Sequence, residues 1–347
     1  MSDPTGVTAL DRPSVDTAAA PPPAPAAASE SAPRAWGKYA IGIALMGLVT
    51  AWATSDPYWT NLFTTGLLFA GMASAWNIIG GFGGQFSLAH AVFFGIGAYA
   101  VALLQVDRGW SPWLGMVAGA VLAGLLAALL AWPLFRLRGH FFAIGTLALG
   151  EVALALANYF SWTGGPRGVR ISYADLPVRE PTTWAWIMFA YAAAVVAVAV
   201  FITRARLGYY LVAVRDGEAA AAAAGANPLL VKSVALVISA ALTAIGGGLF
   251  VMFLGFLDPD NVLSILNVGV RLPLLALIGG IGTIAGPVIG ALILQPGEAY
   301  ATGELSNLPP GVSQLIIGLL LVFAALFFKR GIWGSLLQLG RRVRGRQ

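Results

Sequence analysis

Apolar runs of membrane-spanning length recur through this chain and restrict it to one kind of fold. A helix that crosses the roughly 30 Å hydrocarbon core needs about 20 apolar residues, and such runs follow one another between Tyr39 and Phe328. Of all residues, 58% are hydrophobic and only 10% are charged, against roughly 25% charged in typical soluble domains. The sequence therefore predicts an all-α, polytopic helical membrane protein.

The apolar runs predict about ten transmembrane helices, with a range of eight to ten. The drafted spans are residues 39–54, 61–79, 87–104, 113–135, 141–160, 184–203, 232–255, 263–279, 284–299 and 310–328. Residues 1–35 are rich in Ala and Pro, which predicts a disordered cytoplasmic tail rather than a cleaved signal peptide. The membrane domain would then cover residues 36–334, and residues 335–347 would form a basic cytoplasmic tail.

The distribution of Lys and Arg sets the predicted orientation, because cytoplasmic loops hold most of these residues. If the N-terminus lies inside, only four of the Lys and Arg residues in the loops fall in outer segments. These are Arg108, Arg167, Arg170 and Arg179. An even number of crossings with both termini cytoplasmic is therefore self-consistent. A basic inner face beside anionic membrane lipid accounts for the net charge of +5, so no nucleic-acid partner is needed.

The residue inventory argues against an enzyme. There is no cysteine, and His90 and His140 are the two histidines, so we expect no disulfide and no metal site. No segment matches the phosphate-binding pattern Gly-x-x-x-x-Gly-Lys-Ser/Thr, so ATP would have to bind to another chain. No nucleophile and base are evident near one bilayer face, and we expect no catalytic residues.

A glycine-rich break interrupts the apolar pattern at residues 80–91. Hydrocarbon cannot satisfy the backbone groups that such a break exposes, so at bilayer depth it must be buried in protein or line a watery cavity. This favours transport. Gln85 and His90 could bond the freed carbonyls or contact a substrate. The candidate pathway or gate residues in this segment are Gly80, Gly81, Gly83, Gln85, Ser87 and His90.

A second glycine break at Gly279, Gly280 and Gly282 resembles the first. The segments Trp76–Gly83 and Leu275–Gly282 both end an apolar run in a Gly-Gly-x-Gly sequence. Internal repeats of this kind commonly build transporters, with the substrate path between the halves. The alternative is that glycine pairs simply allow close helix packing. Both breaks fall on the predicted cytoplasmic side, which is consistent with a paired gate.

Among the ionisable residues inside predicted spans, where an isolated charge is costly, Glu151 and Arg271 stand out. Glu151 lies in the middle of its span and would either face the pathway or a gate, or be satisfied by a neighbouring hydroxyl or by Arg271. Arg271 lies nearer the end of its span. Snorkelling to the interface or a structural pair is the expected role of its side chain.

The predicted cytoplasmic loop 204–230 has the pattern of a short docking helix. Asp216 could cap the helix, the alanines after Glu218 would extend it, Gly225 could supply a left-handed end, and Pro228 would prevent continuation. A short helix with small side chains can enter a partner's groove. An alanine-rich connector without a partner is the alternative.

Several motifs together resemble the LivM-type permease subunit of branched-chain amino acid ABC importers. They are Gly80–Tyr99, Leu137–Glu151, Thr163–Val169, Arg204–Lys232, Gly279–Ala291 and Phe328–Gly334. The resemblance covers nearly the whole membrane region. Ala89 replaces a glycine that is usual in the family, and Ala222 replaces a usual acidic residue, which affects packing near His90 and contacts of the loop.

The resemblance implies a multi-pass protein of the bacterial inner membrane that carries no cofactor of its own. The partners implied are a LivH-like second permease, two cytoplasmic ATPases that bind ATP and Mg²⁺, and an extracytoplasmic substrate-binding protein. The loop would be the ATPase-coupling segment. Its candidate residues are Arg215, Asp216, Glu218, Ala220, Ala221, Gly225 and Asn227.

The function expected from these observations is amino acid import by alternating access. Branched-chain amino acids are the leading substrates, while related permeases resemble carriers of urea, short amides or aromatic carboxylates. A stand-alone carrier driven by an ion gradient is the alternative from another class, in which Glu151 would be the proton or cation site.

Overall fold

The computed structural model describes residues 32–137, 139–172, 176–304 and 331–335, together with residues 312, 315, 318 and 319. These residues form an almost entirely helical protein. The helices are α1 (Ala32–Ala53), α2 (Pro57–Asn77), α3 (His90–Arg108), α4 (Pro112–Leu134), α5 (His140–Tyr159), α6 (Pro181–Arg204), α7 (Arg206–Asp216), α8 (Glu218–Ala223), α9 (Pro228–Leu254), α10 (Pro259–Val262), α11 (Arg271–Gly280) and α12 (Ala285–Glu304).

The described residues include two π-helical segments, and the first of them runs into the predicted break at residues 80–91. Ile78–Phe82 continues from α2, and Ile265–Val270 precedes α11. The one described pair of strands is short: β1 (Val169–Arg170) pairs antiparallel with β2 (Phe256–Leu257). Single π-helical turns inside helices are rare and often mark functional sites.

The prediction of a polytopic helical membrane protein is confirmed. Seven helical segments of the described chain are long and apolar enough to cross a membrane, beginning at Pro57, His90, Pro112, His140, Pro181, Pro228 and Pro259. The drafted spans up to residue 299 coincide with helices whose ends differ by a few residues, except that α1 begins earlier, at Ala32. The drafted span 310–328 and the tail 335–347 lie largely outside the described residues. So does the predicted disordered tail 1–35, apart from residues 32–35, which are helical and belong to α1.

Helix starts follow the capping residues of the sequence. Asp56 precedes α2 and its carboxylate accepts from the backbone N–H of Tyr58 at 2.8 Å. Asn227 precedes α9 and accepts from Leu230 N–H at 3.1 Å. These caps satisfy backbone donors that have no partner within the helix. Proline at the first position of both helices lacks such a donor altogether.

The most enclosed of the seven spans is α2, and it organises the core. It packs against α6, α9, α11 and α12, and its buried side chains include Trp76 and Met72. A second buried cluster includes the π-helical end of α2, where Ile78, Ile79 and Phe82 are grouped with buried residues of α4, α7 and α9. By contrast, α4 and α5 leave broad apolar faces exposed, as expected for helices beside lipid or another membrane subunit.

Candidate functional site

The first glycine break ends α2 and leaves a non-helical segment at residues 83–89 before α3. Gly84 has φ +68°, a conformation that side chains rarely adopt. Most of the segment is buried in protein, although Gly84 and Phe86 are exposed, and several of its backbone groups find partners there. Trp76 Nε1 donates to the carbonyl of Ser87 at 2.7 Å, and Thr146 Oγ1 of α5 accepts from Leu88 N–H at 3.0 Å.

His90 begins α3 and is fully buried. Its Nε2 lies 2.7 Å from Ser239 Oγ, and that hydroxyl donates to the carbonyl of Ala75 at 2.7 Å. Because the single Ser239 proton goes to this carbonyl, Nε2 must be the donor to Ser239. His90 therefore reaches the end of α2 through a serine rather than directly. The side chain of Gln85 is half-buried, and its backbone N–H donates to Ile79 O at 3.1 Å.

The second break is a tight turn between α11 and α12. Gly280 and Gly282 have φ +132° and +72°, and Thr283 Oγ1 donates to Gly280 O at 2.7 Å while it accepts from Gly286 N–H at 3.0 Å. A Cβ atom on Gly279 would lie 1.9 Å from Gly286 O. The backbones of α11 and α12 thus approach too closely here for any other residue.

The two glycine breaks lie in direct contact. Asn77, the last residue of α2, donates from Nδ2 to Thr283 O at 2.8 Å and accepts from Gly282 N–H at 2.9 Å through Oδ1. A Cβ atom on Gly81 would lie 1.9 Å from Asn77 Oδ1 and 2.7 Å from Gly282 N. Segments about 200 positions apart in the sequence are therefore brought together, and only glycine fits at position 81.

Helix α7 packs against the first break from the loop predicted to be cytoplasmic. Arg215 Nη1 donates to Gly81 O at 3.3 Å, and its Nε donates to Asp216 Oδ1 at 3.0 Å. A Cβ atom on Gly84 would lie 2.5 Å from Arg215 Cγ, and one on Gly83 would lie 3.3 Å from Leu211 Cδ2. The start of the candidate coupling segment is thus in contact with the break itself.

The short alanine helix exists as predicted, but its start differs. Asp216 is the last residue of α7 and does not cap α8, because Gly217 takes the capping position without a side-chain bond. The short side chain of Asp216 is instead paired with Arg215. Gly225 has φ +89°, as predicted for a left-handed end. Pro228 does not merely stop a helix, since it is the first residue of α9.

Helix α8 exposes most of its small side chains and is tied to the membrane helices at two points. Ala221 is buried, whereas Ala220 and Ala222 are exposed. Glu218 forms an ion pair with Lys232 of α9. The ammonium of Lys232 is almost entirely enclosed, whereas the Glu218 carboxylate is half-exposed. A concavity of about 440 Å³ lies beside this pair and includes Gln85.

Glu151 and Arg271 do not contact each other. Arg271 forms an ion pair with Glu298 of α12 and lies over the ring of Phe69, with Cζ 5.2 Å from the ring centroid. The suggested Glu151–Arg271 pair is therefore wrong, and Arg271 has the structural pair that was the other expectation. Glu151 is exposed on α5, and its carboxylate contacts no polar side chain of the described residues. The Glu151 carboxylate therefore lies on an otherwise apolar face of α5.

The sequence places this arrangement in a known family of membrane proteins. The family model described as "Branched-chain amino acid transport system / permease component" matches residues 58–325, which include both breaks and the α7–α8 segment. The chain belongs to this family. The predicted resemblance to LivM-type permeases is confirmed.

Curated relatives of this permease family cover most of the chain. The permease protein LivM of Escherichia coli K12 is 27% identical over 321 residues, which are 84% of this chain and 73% of that protein. The permease protein LivH of Salmonella typhimurium is 27% identical over 294 residues, or 79% of this chain and 94% of that protein. BraD of Pseudomonas aeruginosa is 25% identical over 303 residues. No solved structure matches the chain.

Sequence reasoning missed the residues that join the elements of this permease. Asn77, Ser239, Thr146 and Thr283 make the polar contacts described above, and none was assigned a role. Each is a small polar residue within an otherwise apolar segment. For Asn77, the sequence did offer a signal. Its amide lies inside an apolar span, four residues before Gly81, and an unsatisfied polar group there would be costly, so it needs a partner.

Proposed function

We propose that this chain is a transmembrane permease subunit of an ATP-binding-cassette importer that moves branched-chain or related amino acids into the cell by alternating access. The observation that carries the proposal is the contact of Arg215 with the first glycine break, which is itself bonded to the second. Motion of α7 and α8 would therefore act directly on both breaks. Family membership supports the same reading.

The energy source is proposed to lie on partner chains. This sequence has no Gly-x-x-x-x-Gly-Lys-Ser/Thr segment, so two cytoplasmic ATPases would bind ATP and Mg²⁺ and dock against α8. Exposed small side chains on α8 allow close approach of a partner surface. A LivH-like second permease and an extracytoplasmic binding protein complete the proposed assembly in the bacterial inner membrane, with about ten spans and both termini cytoplasmic in this subunit.

The substrate is proposed from the chemistry of the glycine breaks and of Glu151 on α5. Backbone N–H groups at broken helix ends can receive a carboxylate, and apolar walls suit an aliphatic side chain. Glu151 is a candidate acceptor for the ammonium group, because its carboxylate is unpaired among the described residues. The candidate gate comprises Gly80, Gly81, Gly83, Gly279, Gly280 and Gly282, with Gln85, Ser87 and His90 beside it.

Mass spectrometry of the complex purified from native membranes in mild detergent tests this function. We expect a tagged form of this chain to recover two ATPases and a second permease in fixed stoichiometry. The matched sample carries Glu218→Lys, which would place two cations together at the base of α8 and lower ATPase recovery. Recovery of the wild-type chain alone, folded and active in uptake, would contradict the proposal and favour a gradient-driven carrier.

A further inference from the structure

One side chain joins the two glycine breaks. Asn77 is only 1% exposed, and both of its hydrogen bonds go to backbone groups of the turn between α11 and α12, at Gly282 and Thr283. An amide both donates and accepts, so it satisfies one carbonyl and one N–H of this turn at once. A carboxylate would satisfy only the N–H, and an apolar side chain would satisfy neither.

Arg215 reaches the same place from outside the membrane core. Its Nη1 bonds to Gly81 O and lies 3.6 Å from the position that a Cβ on Gly282 would occupy. Asp216 holds the other edge of the guanidinium. The last two residues of α7, which only Gly217 separates from α8, therefore lie beside the residues that Asn77 bonds. Displacement of α7 would pull on both breaks together.

We propose that Asn77 is a positioning residue that holds the two breaks together as a reversible latch, and that Arg215 transmits movement of the α7–α8 segment to it. We call the bonds of Asn77 to Gly282 and Thr283 the latch. The inference rests on the proposed function, because it assumes that ATPases move α8. Neutral hydrogen bonds suit a contact that must open repeatedly, since water can replace them at modest net cost.

Spin-label distances test the latch without reference to transport. The chain has no cysteine, so Phe86→Cys and Ile281→Cys, both exposed and each beside one break, give one specific label pair in a purified complex whose partner chains are freed of reactive cysteine. In the absence of nucleotide we expect a narrow distance distribution that broadens markedly with Asn77→Ala. Asn61→Ala, an exposed asparagine on the same helix, should leave it narrow. An unchanged distance distribution with Asn77→Ala would contradict the proposal that Asn77 holds the two breaks together.

The ratio of ATP hydrolysed to substrate imported tests the role of the latch in coupling. We expect this ratio to rise about fivefold with Asn77→Ala or Arg215→Ala, and less with Asn77→Asp, which keeps one of the two bonds. Asn61→Ala should match the wild type. If Asn77→Ala fails to assemble, Asn77→Asp and Arg215→Ala remain informative, and wild-type ratios in those two variants would overturn the proposal.

Failure of the proposed function gives a different result. A wild-type complex whose uptake does not depend on ATP has no coupling ratio to change, yet its label distances still report whether Asn77 holds the breaks together. A narrow wild-type distribution that Asn77→Ala broadens would then support the latch in a transporter of another energy source. The ATP-independent uptake would contradict only the role that we assign to Arg215.

Discussion

At the scale of single residues, several polar groups beside the first break are satisfied by side chains of another helix. Ser239 links His90 of α3 to Ala75 of α2, and Thr146 of α5 accepts from the non-helical segment at Leu88. Unsatisfied polar groups are expensive in an apolar interior. These small hydroxyl residues therefore make it possible for a helix to break inside the membrane domain.

Removing the serine hydroxyl should destabilise the protein. With Ser239→Ala, the buried Nε2–H of His90 loses its acceptor, at a cost of about 1–3 kcal/mol. We expect a lower thermal midpoint for the purified complex. Ser233→Ala is the matched control on α9, because its hydroxyl is exposed and bonds only to Leu229 O. Equal midpoints for the two variants would show that the serine link does not stabilise the break.

Glu151 should matter more for transport than a carboxylate in the predicted outer segment. Its carboxylate lies on the exposed face of α5, within an apolar span and without a polar partner among the described residues. Glu180 is also exposed but precedes α6. We expect Glu151→Leu to lower the initial uptake rate more than Glu180→Leu at equal membrane abundance. Equal rates would assign Glu151 no role in the pathway.

At the scale of elements, the sequence predicts helices well and their junctions poorly. Apolar runs locate the spans, because the length needed to cross a bilayer is fixed. The glycine pairs correctly locate both breaks, since few other residues fit such turns. Asp216 shows the limit: its type suits a cap, but it is held in α7 by contacts of Arg215 with a break far away in sequence. Local patterns carry no information on such contacts.

The left-handed end of α8 gives a prediction at this scale. Proline cannot adopt the φ of +89° at Gly225, and it would remove the bond from Gly225 N–H to Ala222 O. We expect Gly225→Pro to lower ATP-driven uptake about tenfold through misplacement of α8, while the protein still inserts.

Gly109 offers a matched control for that change. It also has positive φ, +63°, an open space where Cβ would lie, and an N–H bonded to the residue four positions earlier. Gly109→Pro therefore imposes a similar local strain at the end of α3. Similar losses of uptake in the two variants would show that general destabilisation, and not the position of α8, causes the effect.

At the scale of the whole molecule, the described residues link an exposed short helix to two broken spans. The path runs from α8 through Arg215 to Gly81 and then through Asn77 to the turn at Gly282. ATP-driven alternating access requires that an energy-using partner shift the balance between two conformations. A contact of the α7–α8 segment with the first break, which Asn77 in turn bonds to the second, is the feature that such a mechanism needs.

The most direct test of the central claim is leucine uptake by the purified complex in proteoliposomes, with the ion gradients dissipated by ionophores. We predict that uptake persists when the vesicles receive Mg²⁺-ATP and a saturated binding protein, and that it stops without ATP. Uptake that continues without ATP but collapses with the gradients would contradict the account of this chain as an ATP-driven permease subunit.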